Sequence, residues 1–329
     1  MFGLFDPTGR TDIPADSITC AAHGTHALCV PTGMAVSDTA GIHALDRGNA
    51  EQVDEQARCL LEDMPVAALK VGTVMCPEVS SVIASVAADY SDAPLVLQLG
   101  PQENPGDVPD QDMEGGEVAP SVGATLELLV PQASVVVMPA SAMSRWLNDE
   151  VLNNFNPADG PSALLALGAT WALVTGFAQR PGSLVNLLLG PEGETIALPC
   201  EPGSNLPQRI QDLSGLTATA LACGLAQGMT VIDSAKLACD YAELAARRAF
   251  QAGMGQKTWP TATNLASHEP RFALPGRLYG VTPDWHDAGQ LEQSIRQAAA
   301  GGMTAIQLRL KKSEPREAML DCAPSIASL

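Results

Sequence analysis

The stretch VAALKVGTVMCPEVSSVIASVAADYSDAPLVLQL, residues 66–99, predicts two buried strands with a helix between them. Its two ends, 66–71 and 95–99, are short apolar runs of the kind found in parallel strands that are covered on both faces. The middle segment, 77–90, has the pattern of a helix. This strand–helix–strand order predicts a right-handed βαβ unit.

The same alternation continues on both sides of this unit. Apolar runs at 133–138 (ASVVVM) and 171–175 (WALVT) predict two more strands. Further helices are predicted at 50–63, 161–168, 215–227 and 230–251. We therefore expect an α/β fold with a doubly wound, mostly parallel sheet, whose ligands bind at the carboxyl ends of the strands. The polar, Pro/Gly-rich segment 101–120 is predicted to be a loop.

Charge and composition exclude several classes of function. The chain has 329 residues, with 18 Lys and Arg against 37 Asp and Glu, a net charge of −19. A surface this acidic repels nucleic-acid phosphates and anionic lipid headgroups, so we expect neither nucleic acid nor membrane as a partner. The eight cysteines form no CxxC pair, and the first residues have neither the basic nor the apolar region of a signal peptide. These features predict reduced thiols and a cytoplasmic location.

The last part of the chain differs in charge from the rest. Residues 276–329 are electrically balanced, so the first 275 residues carry the whole negative charge. We predict a first domain at 1–252, a linker at 253–275 and a second unit at 276–329. The second unit should form one βαβ element from 277–281, a helix at about 288–300 and a strand at 304–311.

Four segments of the first domain resemble the hydroxymethylpyrimidine/phosphomethylpyrimidine kinases of thiamine biosynthesis, which belong to the ribokinase superfamily. They are DPTGRTDIPADSITCAAHGTHALCVPTGMAVSDTAGI (6–42), LKVGTV (69–74), LVPQASVVVMP (129–139) and SGLTATALACGLAQGMTVIDSAKLACDYAELAARRA (214–249). They occur in the order expected for that family. The resemblance implies a ribokinase-like fold and a transferase that uses Mg²⁺ and ATP to phosphorylate a small pyrimidine.

The resemblance also implies positions for the substrate-binding residues. Asp16 matches the acidic residue of the family's first loop, and Ser37 stands where the family has a pyrimidine-reading glutamine. Gly215 and Thr217 match residues of the loop whose backbone N–H groups hold the transferred phosphate. A homodimer is a further expectation from the family.

Several family positions carry residues that cannot do the family's chemistry. The position of the catalytic base is Leu216, which cannot accept a proton. Gln98 and Leu99 replace the family's Asp-Pro, and no lysine occurs in the nucleotide segment 175–178. We therefore predict no catalytic residue and an impaired kinase-like domain that binds a ligand or assists a synthase. The alternatives are an active kinase with another base, such as Asp212, and a purely structural or oligomerisation role.

The second unit resembles the beginning of thiamine-phosphate synthase, a (β/α)8 barrel. The segments that carry this resemblance are LYGVTPD (278–284) and GGMTAIQLRLK (301–311). The resemblance implies that Gln307, Arg309 and Lys311 bind the pyrimidine diphosphate substrate of that enzyme, in agreement with the chemistry of cationic side chains and phosphate. Only one βαβ unit of the barrel is present, which is too little to close a barrel. We expect the chain to be a truncated product or a fragment of a longer fusion.

Other polar residues leave alternatives open. His23, His26 and His43 lack the nearby ligands of a metal site, and we predict none. Asp6, Asp12 and Asp16 are either solvated loop carboxylates or remnants of the substrate site. The cysteines at 20, 29 and 223 have no histidine or lysine placed by the sequence to activate them as nucleophiles.

Overall fold

The sheet of the first unit has both faces covered, as predicted. A computed structural model describes residues 1–100, 118–147, 161–180, 183–199, 213–255, 258, 279–282, 288–303, 305–307 and 309. Within these ranges the contacts divide the chain into two compact units, Met1–Ala266 and Ser267–Leu329. The predicted boundaries at 252 and 276 stay a prediction, because most of the linker lies outside the described residues.

Nine described strands form the sheet of the first unit, in the order β3-β2-β1-β4-β5-β6-β7-β8-β9. They are β1 (Phe2–Phe5), β2 (Val30–Ser37), β3 (Ile42–Arg47), β4 (Leu69–Val71), β5 (Leu95–Gln98), β6 (Val135–Pro139), β7 (Trp171–Arg180), β8 (Ser183–Leu189) and β9 (Thr195–Pro199). Six neighbouring strands pair in parallel, in the order β2, β1, β4, β5, β6 and β7. The outer strands β3, β8 and β9 pair antiparallel at the two ends of the sheet.

Eight helices are described in this unit. They are α1 (Asp12–Ala22), α2 (Ala50–Asp63), α3 (Pro77–Asp89), α4 (Val118–Leu128), α5 (Met143–Trp146), α6 (Ser162–Ala166), α7 (Ser214–Ala226) and α8 (Val231–Arg247). Single 3₁₀ turns occur at Val130–Gln132 and Ala140–Ala142. Helices α1, α7 and α8 pack on one face of the sheet, and α2, α3, α4 and α6 pack on the other.

Strand β6 shows why the central strands are continuously apolar. Val135 and Val137 belong to the core under α7 and α8, whereas Val136 and Met138 belong to the core on the opposite face. Alternate side chains of a strand point to opposite faces, so a strand buried on both sides needs apolar residues at every position. The helix prediction for 50–63 is confirmed, and the Asn49 side chain caps its start by accepting from the Gln52 backbone N–H at 3.2 Å.

Two predictions for the first unit need correction. The predicted loop 101–120 extends too far, because residues from Val118 onward belong to α4; residues 101–117 lie outside the described ranges. The sequence patterns also missed β1, β2 and β3 and the antiparallel strands β8 and β9. β1 has only four residues, and β2 contains Pro31 and Gly33, so neither has a clean strand pattern.

The second unit contains a βαβ element in its described residues. β10 (Tyr279–Val281) pairs in parallel with β11 (Ala305–Gln307), and α9 (Ala288–Ala300) connects them. Leu291 and Ile295 are the buried side chains of α9. The assignment of this element to a TIM barrel stays a prediction. In neither unit do the described helices include one with the length and apolar character needed to cross a bilayer.

Candidate functional site

The candidate site lies at the carboxyl edge of the parallel strands, where the fold brings together the loop after β1, the ends of β4 and β5, and the amino ends of α1 and α7. Doubly wound sheets place their ligand sites at this edge. Three aspartates of the first loop and helix, Asp6, Asp12 and Asp16, are 4%, 1% and 1% exposed. The interpretation of these residues as solvated loop carboxylates is therefore wrong.

Asp6 organises the loop after β1. Its Oδ1 accepts from the Thr8 backbone N–H at 3.0 Å and from the Ser37 hydroxyl at 2.7 Å, and its Oδ2 accepts from the Thr8 hydroxyl at 2.7 Å. Ser37, the predicted pyrimidine-reading residue at the end of β2, thus uses its hydroxyl hydrogen in a hydrogen bond to Asp6. Its oxygen can still accept a hydrogen bond from a ligand.

Asp12 ties the start of α1 to the loop after β4. Its Oδ1 accepts from the Thr73 backbone N–H at 3.0 Å, and its Oδ2 accepts from the Thr73 hydroxyl at 2.7 Å. Asp12 has φ +47°, a left-handed conformation that is rare outside glycine but tolerated by aspartate. A Cβ at Gly72 would overlap the Asp12 carboxylate, so the glycine of LKVG is required for this close approach.

Asp16 is the centre of a buried ion pair. Its Oδ2 accepts from the Lys70 ammonium at 2.7 Å, and its Oδ1 accepts from the Thr219 hydroxyl at 2.5 Å. Burial raises the pKa of Asp16, and the Lys70 charge only partly opposes this effect. Burial alone would lower the pKa of Lys70, but the carboxylates of Asp16 and Asp12 raise it above its usual value.

The hydrogen bonds and burial of Asp16 favour a role in positioning the helices around the site. Both of its oxygens bind protein donors, and it has almost no exposed surface. It joins α1, β4 and α7 and thereby positions the edge of the sheet. Direct contact of Asp16 with a ligand stays a prediction.

At the amino end of α7, the described residues Leu213 to Thr217 offer backbone N–H groups to an anion but no carboxylate or thiol that could act as a base. Leu213 precedes the helix and makes no side-chain capping bond. Helix starts present backbone N–H groups and a positive dipole end, which together favour anions. Leu216 is 6% exposed and belongs to the core between α7 and the sheet, so an aliphatic side chain occupies the position predicted for the base.

The two predicted residues that flank Leu216 have different surroundings. The Thr217 hydroxyl donates to the Leu213 carbonyl at 2.9 Å within the helix, and the residue is buried. Gly215 lies beside Gln98 at the end of β5, and a Cβ built there would make an ordinary contact, 3.4 Å from the Gln98 amide.

Gln98 is the functional candidate that sequence reasoning noted only as a departure from the family. It ends β5 and is 8% exposed, and its Nε2 donates weakly to the Ser214 hydroxyl at 3.4 Å. Its Oε1 has no hydrogen-bond partner among the described residues. A buried, unpartnered amide beside a helix start marks a position where a polar ligand would gain a hydrogen bond. Its burial could not be known from the sequence, since it depends on α7.

The described residues of this edge do not fit a Mg²⁺ ion. Magnesium prefers carboxylates and water, but Asp6, Asp12 and Asp16 all accept hydrogen bonds from protein donors. The position that the family resemblance gives to a metal-side aspartate is the neutral Gln98. Among the residues that the structure describes, no group of three His, Cys, Asp or Glu side chains has the arrangement of a metal site.

The histidines lie apart and have other partners. His23 packs edge-to-face against Tyr241 with ring centroids 4.6 Å apart. His43, on β3, pairs with Asp38 at 3.1 Å. His26 lines a cavity at the opposite edge of the sheet from the aspartates.

The predicted synthase residues belong to the second unit. Gln307 ends β11, and the Arg309 backbone N–H donates to the Thr282 hydroxyl at 2.9 Å. Both Gln307 and Arg309 are exposed. Lys311 and the alternative base Asp212 lie outside the described residues, so their predicted roles stay predictions.

Comparison with known proteins agrees with this architecture. The sequence profile of the phosphomethylpyrimidine kinase family matches residues 6–260. The hydroxymethylpyrimidine/phosphomethylpyrimidine kinase of Streptomyces coelicolor is 29% identical over 252 residues, which cover 76% of this chain and 88% of that protein. A phosphomethylpyrimidine kinase structure from Clostridium difficile 630 superposes with a TM-score of 0.57 at 21% identity, covering 74% of this chain and 97% of that chain. The first unit therefore has the ribokinase-like fold.

A separate similarity concerns thiamine-phosphate synthase. The synthase of Bordetella pertussis is 55% identical over 43 residues, which cover 13% of this chain. The match spans only 20% of that synthase's own length. The kinase match, by contrast, extends over well more than half of the chain and includes every element of the site described above. The chain belongs to the phosphomethylpyrimidine kinase family.

Proposed function

We propose that the first unit is a catalytically impaired phosphomethylpyrimidine kinase-like domain that binds a pyrimidine monophosphate and assists a thiamine-phosphate synthase in the cytoplasm. The observation that carries the proposal is Leu216, a buried aliphatic side chain at the position of the base. Phosphoryl transfer to a hydroxyl needs a group that accepts the hydroxyl proton. Loss of such a group typically lowers the rate by ~10²–10⁴-fold.

The nucleotide side of the site supports the same proposal. Gln98 gives no negative charge for a metal ion, and Leu99 beside it is fully buried. A chain with a net charge of −19 also repels ATP unless cations offset the repulsion. Several contributions to catalysis are thus missing together, although their separate effects on the rate do not simply multiply.

Binding of a phosphate monoester remains compatible with the described residues. The start of α7 supplies backbone N–H groups, and the Gln98 amide lies beside Gly215 in its first turn. Ser37 and the Asp6 loop lie at the same edge and offer acceptors to a polar ring. Hydroxymethylpyrimidine phosphate combines an anion with such a ring and is the ligand that we propose.

The synthase side rests on the second unit. We propose that Gln307, Arg309 and Lys311 contribute to binding a pyrimidine diphosphate when the remainder of a synthase barrel is supplied. Gln307 and Arg309 are exposed at and just beyond the end of β11, and amide and cationic groups suit phosphate oxygens. The homodimer expected from the family is proposed as the assembly of the first unit, and analytical ultracentrifugation tests it.

The deciding experiment measures both turnover and binding with the full chain. We expect ATP-dependent phosphorylation of hydroxymethylpyrimidine and of its phosphate at background level, whereas ordinary kinases reach about 1–100 s⁻¹. Titration calorimetry should detect hydroxymethylpyrimidine phosphate binding without ATP. Turnover at an ordinary rate that Asp212→Asn abolishes would establish the active-kinase alternative instead. Absence of both turnover and binding would favour a structural role.

A further inference from the structure

Helices α1 and α7 run parallel and meet through a series of paired residues, each one helical turn beyond the last. Asp16 contacts Thr219, then Cys20 contacts Cys223, and then the His23 carbonyl accepts from the Gln227 side chain at 2.6 Å. Residues three or four apart on a helix share one face, so this series is a single continuous seam. The middle pair consists of two thiols directly beyond the Asp16–Thr219 contact.

The two thiols are close enough to react with each other. Their Sγ atoms are 3.7 Å apart, and Cys20 and Cys223 are separated by 203 residues in the sequence. Both are free cysteines, 1% and 2% exposed. A disulfide requires sulfur atoms about 2.0 Å apart, so the two side chains must move toward each other before the bond can form.

A cavity gives small molecules access to this pair. It has a volume of about 430 Å³ and lies at the amino-terminal edge of the sheet, where β1 and β4 begin. Both thiols line it, together with Thr25 and mainly apolar side chains such as Leu60 and Ala222. A small, uncharged reagent can enter such a space, whereas a charged one must lose its hydration shell.

The surroundings of the two thiols give them different roles. The hydrogen bond with Cys20 lowers the pKa of the Cys223 thiol, because a Cys223 thiolate would accept a hydrogen bond from the Cys20 thiol. The same contact, followed by burial, raises the pKa of Cys20. The Thr25 hydroxyl lies 3.1 Å from the Cys223 sulfur and can also stabilise a thiolate there. The Thr25 contact therefore favours Cys223 as the thiol that attacks an oxidant, and Cys20 as the thiol that then closes the disulfide.

We propose that Cys20 and Cys223 form an oxidation site at which a small hydroperoxide converts the two thiols into a disulfide between α1 and α7. The Cys223 thiolate attacks the peroxide, the O–O bond breaks, and a sulfenic acid forms while one hydroxide or alkoxide leaves as water or alcohol. The Cys20 sulfur then attacks the Cys223 sulfur and forms the disulfide bond. The S–O bond of the sulfenic acid breaks, and its oxygen leaves as water. The peroxide gains the two electrons that the thiols lose.

The disulfide would fix the seam on which the candidate site depends. Asp16 and Thr219 lie one turn from the thiols and join the two helices whose amino ends form the carboxyl edge of the sheet. Cross-linking residues so distant in the sequence restricts the unfolded chain strongly. This inference does not depend on whether the kinase-like site turns over.

The test uses the reduced full chain treated with hydrogen peroxide and then alkylated. We expect peptide mapping to find a Cys20–Cys223 cross-link with a mass loss of about 2 Da, from two hydrogens, and the melting temperature to rise by roughly 5 °C or more. In Cys20→Ala, the sulfenic acid at Cys223 should persist and react with dimedone. In Cys223→Ala, Cys20 should stay unlabelled.

A matched control separates this pair from general oxidation. Cys59→Ala removes an exposed cysteine on α2 and should leave the cross-link and the melting shift unchanged. The proposal is overturned if Cys20 and Cys223 remain alkylatable at peroxide doses that oxidise Cys59. It is also overturned if the mapped cross-link joins other cysteines, or if the melting shift is the same in Cys20→Ala.

Discussion

The Lys70 ammonium lies 2.7 Å from the Asp16 carboxylate at a point where neither side chain reaches solvent. Lys70 is also 3.8 Å from Asp12, so a single cation balances two acids on α1. Replacing Lys70 by methionine would leave buried carboxylates without a counter-charge. We expect Lys70→Met to lower the free energy of unfolding by ~3–5 kcal/mol in urea denaturation.

Two further variants identify the cause of this loss. Lys236→Met removes an exposed lysine on α8 and should change stability by less than about 0.5 kcal/mol. Adding Asp16→Asn to Lys70→Met should recover part of the lost stability, because it removes one of the unpaired charges. If the double variant is less stable than Lys70→Met alone, the ion pair is not the source of the effect.

Gly72→Ala tests the close contact between the loop after β4 and Asp12. The added Cβ would overlap the Asp12 carboxylate and disturb its bonds to Thr73. We expect a loss of about 1–3 kcal/mol in the free energy of unfolding. Gly41→Ala is the matched control, because no atom lies within 4 Å of a Cβ built there. Equal effects of the two substitutions would contradict the required contact.

Gln98→Met tests whether the unpartnered amide belongs to a ligand site. Removing a buried polar group that lacks a full set of partners should raise the free energy of unfolding by about 1 kcal/mol. The same variant should weaken the binding of hydroxymethylpyrimidine phosphate about tenfold, since the ligand loses a buried hydrogen bond. Gln52→Met, at an exposed position of α2, should change neither quantity. Unchanged affinity in Gln98→Met would remove Gln98 from the site.

Leu216→Cys tests the missing base directly. A thiol in the first turn of α7 can accept a proton once it is ionised, and the helix dipole favours the thiolate, whereas burial at this position opposes it. We expect ATP-dependent phosphorylation to rise above the background of the parent chain by ~10-fold or more but to remain below ordinary kinase rates, since removal of a base costs ~10²–10⁴-fold. Leu225→Cys, later in the same helix, should stay at background. Equal rates in the two variants would show that the missing base is not what limits turnover.

The sequence predicts more of the fold than of the candidate site. The run at 133–138 predicted a central strand because both faces of β6 need apolar residues, and helix α2 followed from its periodicity. The sequence marks Asp6, Asp12 and Asp16 as candidates but does not reveal the burial of Asp16, because its partners Lys70 and Thr219 are distant in the sequence. Thr73 gave no sequence signal at all. Side-chain pairing across α1, β4 and α7 arises only from the packed structure.

The parallel run of α1 and α7 has an electrostatic consequence at the carboxyl edge. Both helices point their positive dipole ends to the same place, so their local fields add there while the rest of the chain is strongly acidic. An approaching phosphate thus meets long-range repulsion and short-range attraction. Salt shortens the reach of electrostatic forces to about 10 Å at 0.1 M and so suppresses the repulsion first. Phosphate monoesters should therefore bind this acidic protein more tightly as ionic strength rises from very low values, the reverse of ordinary anion sites.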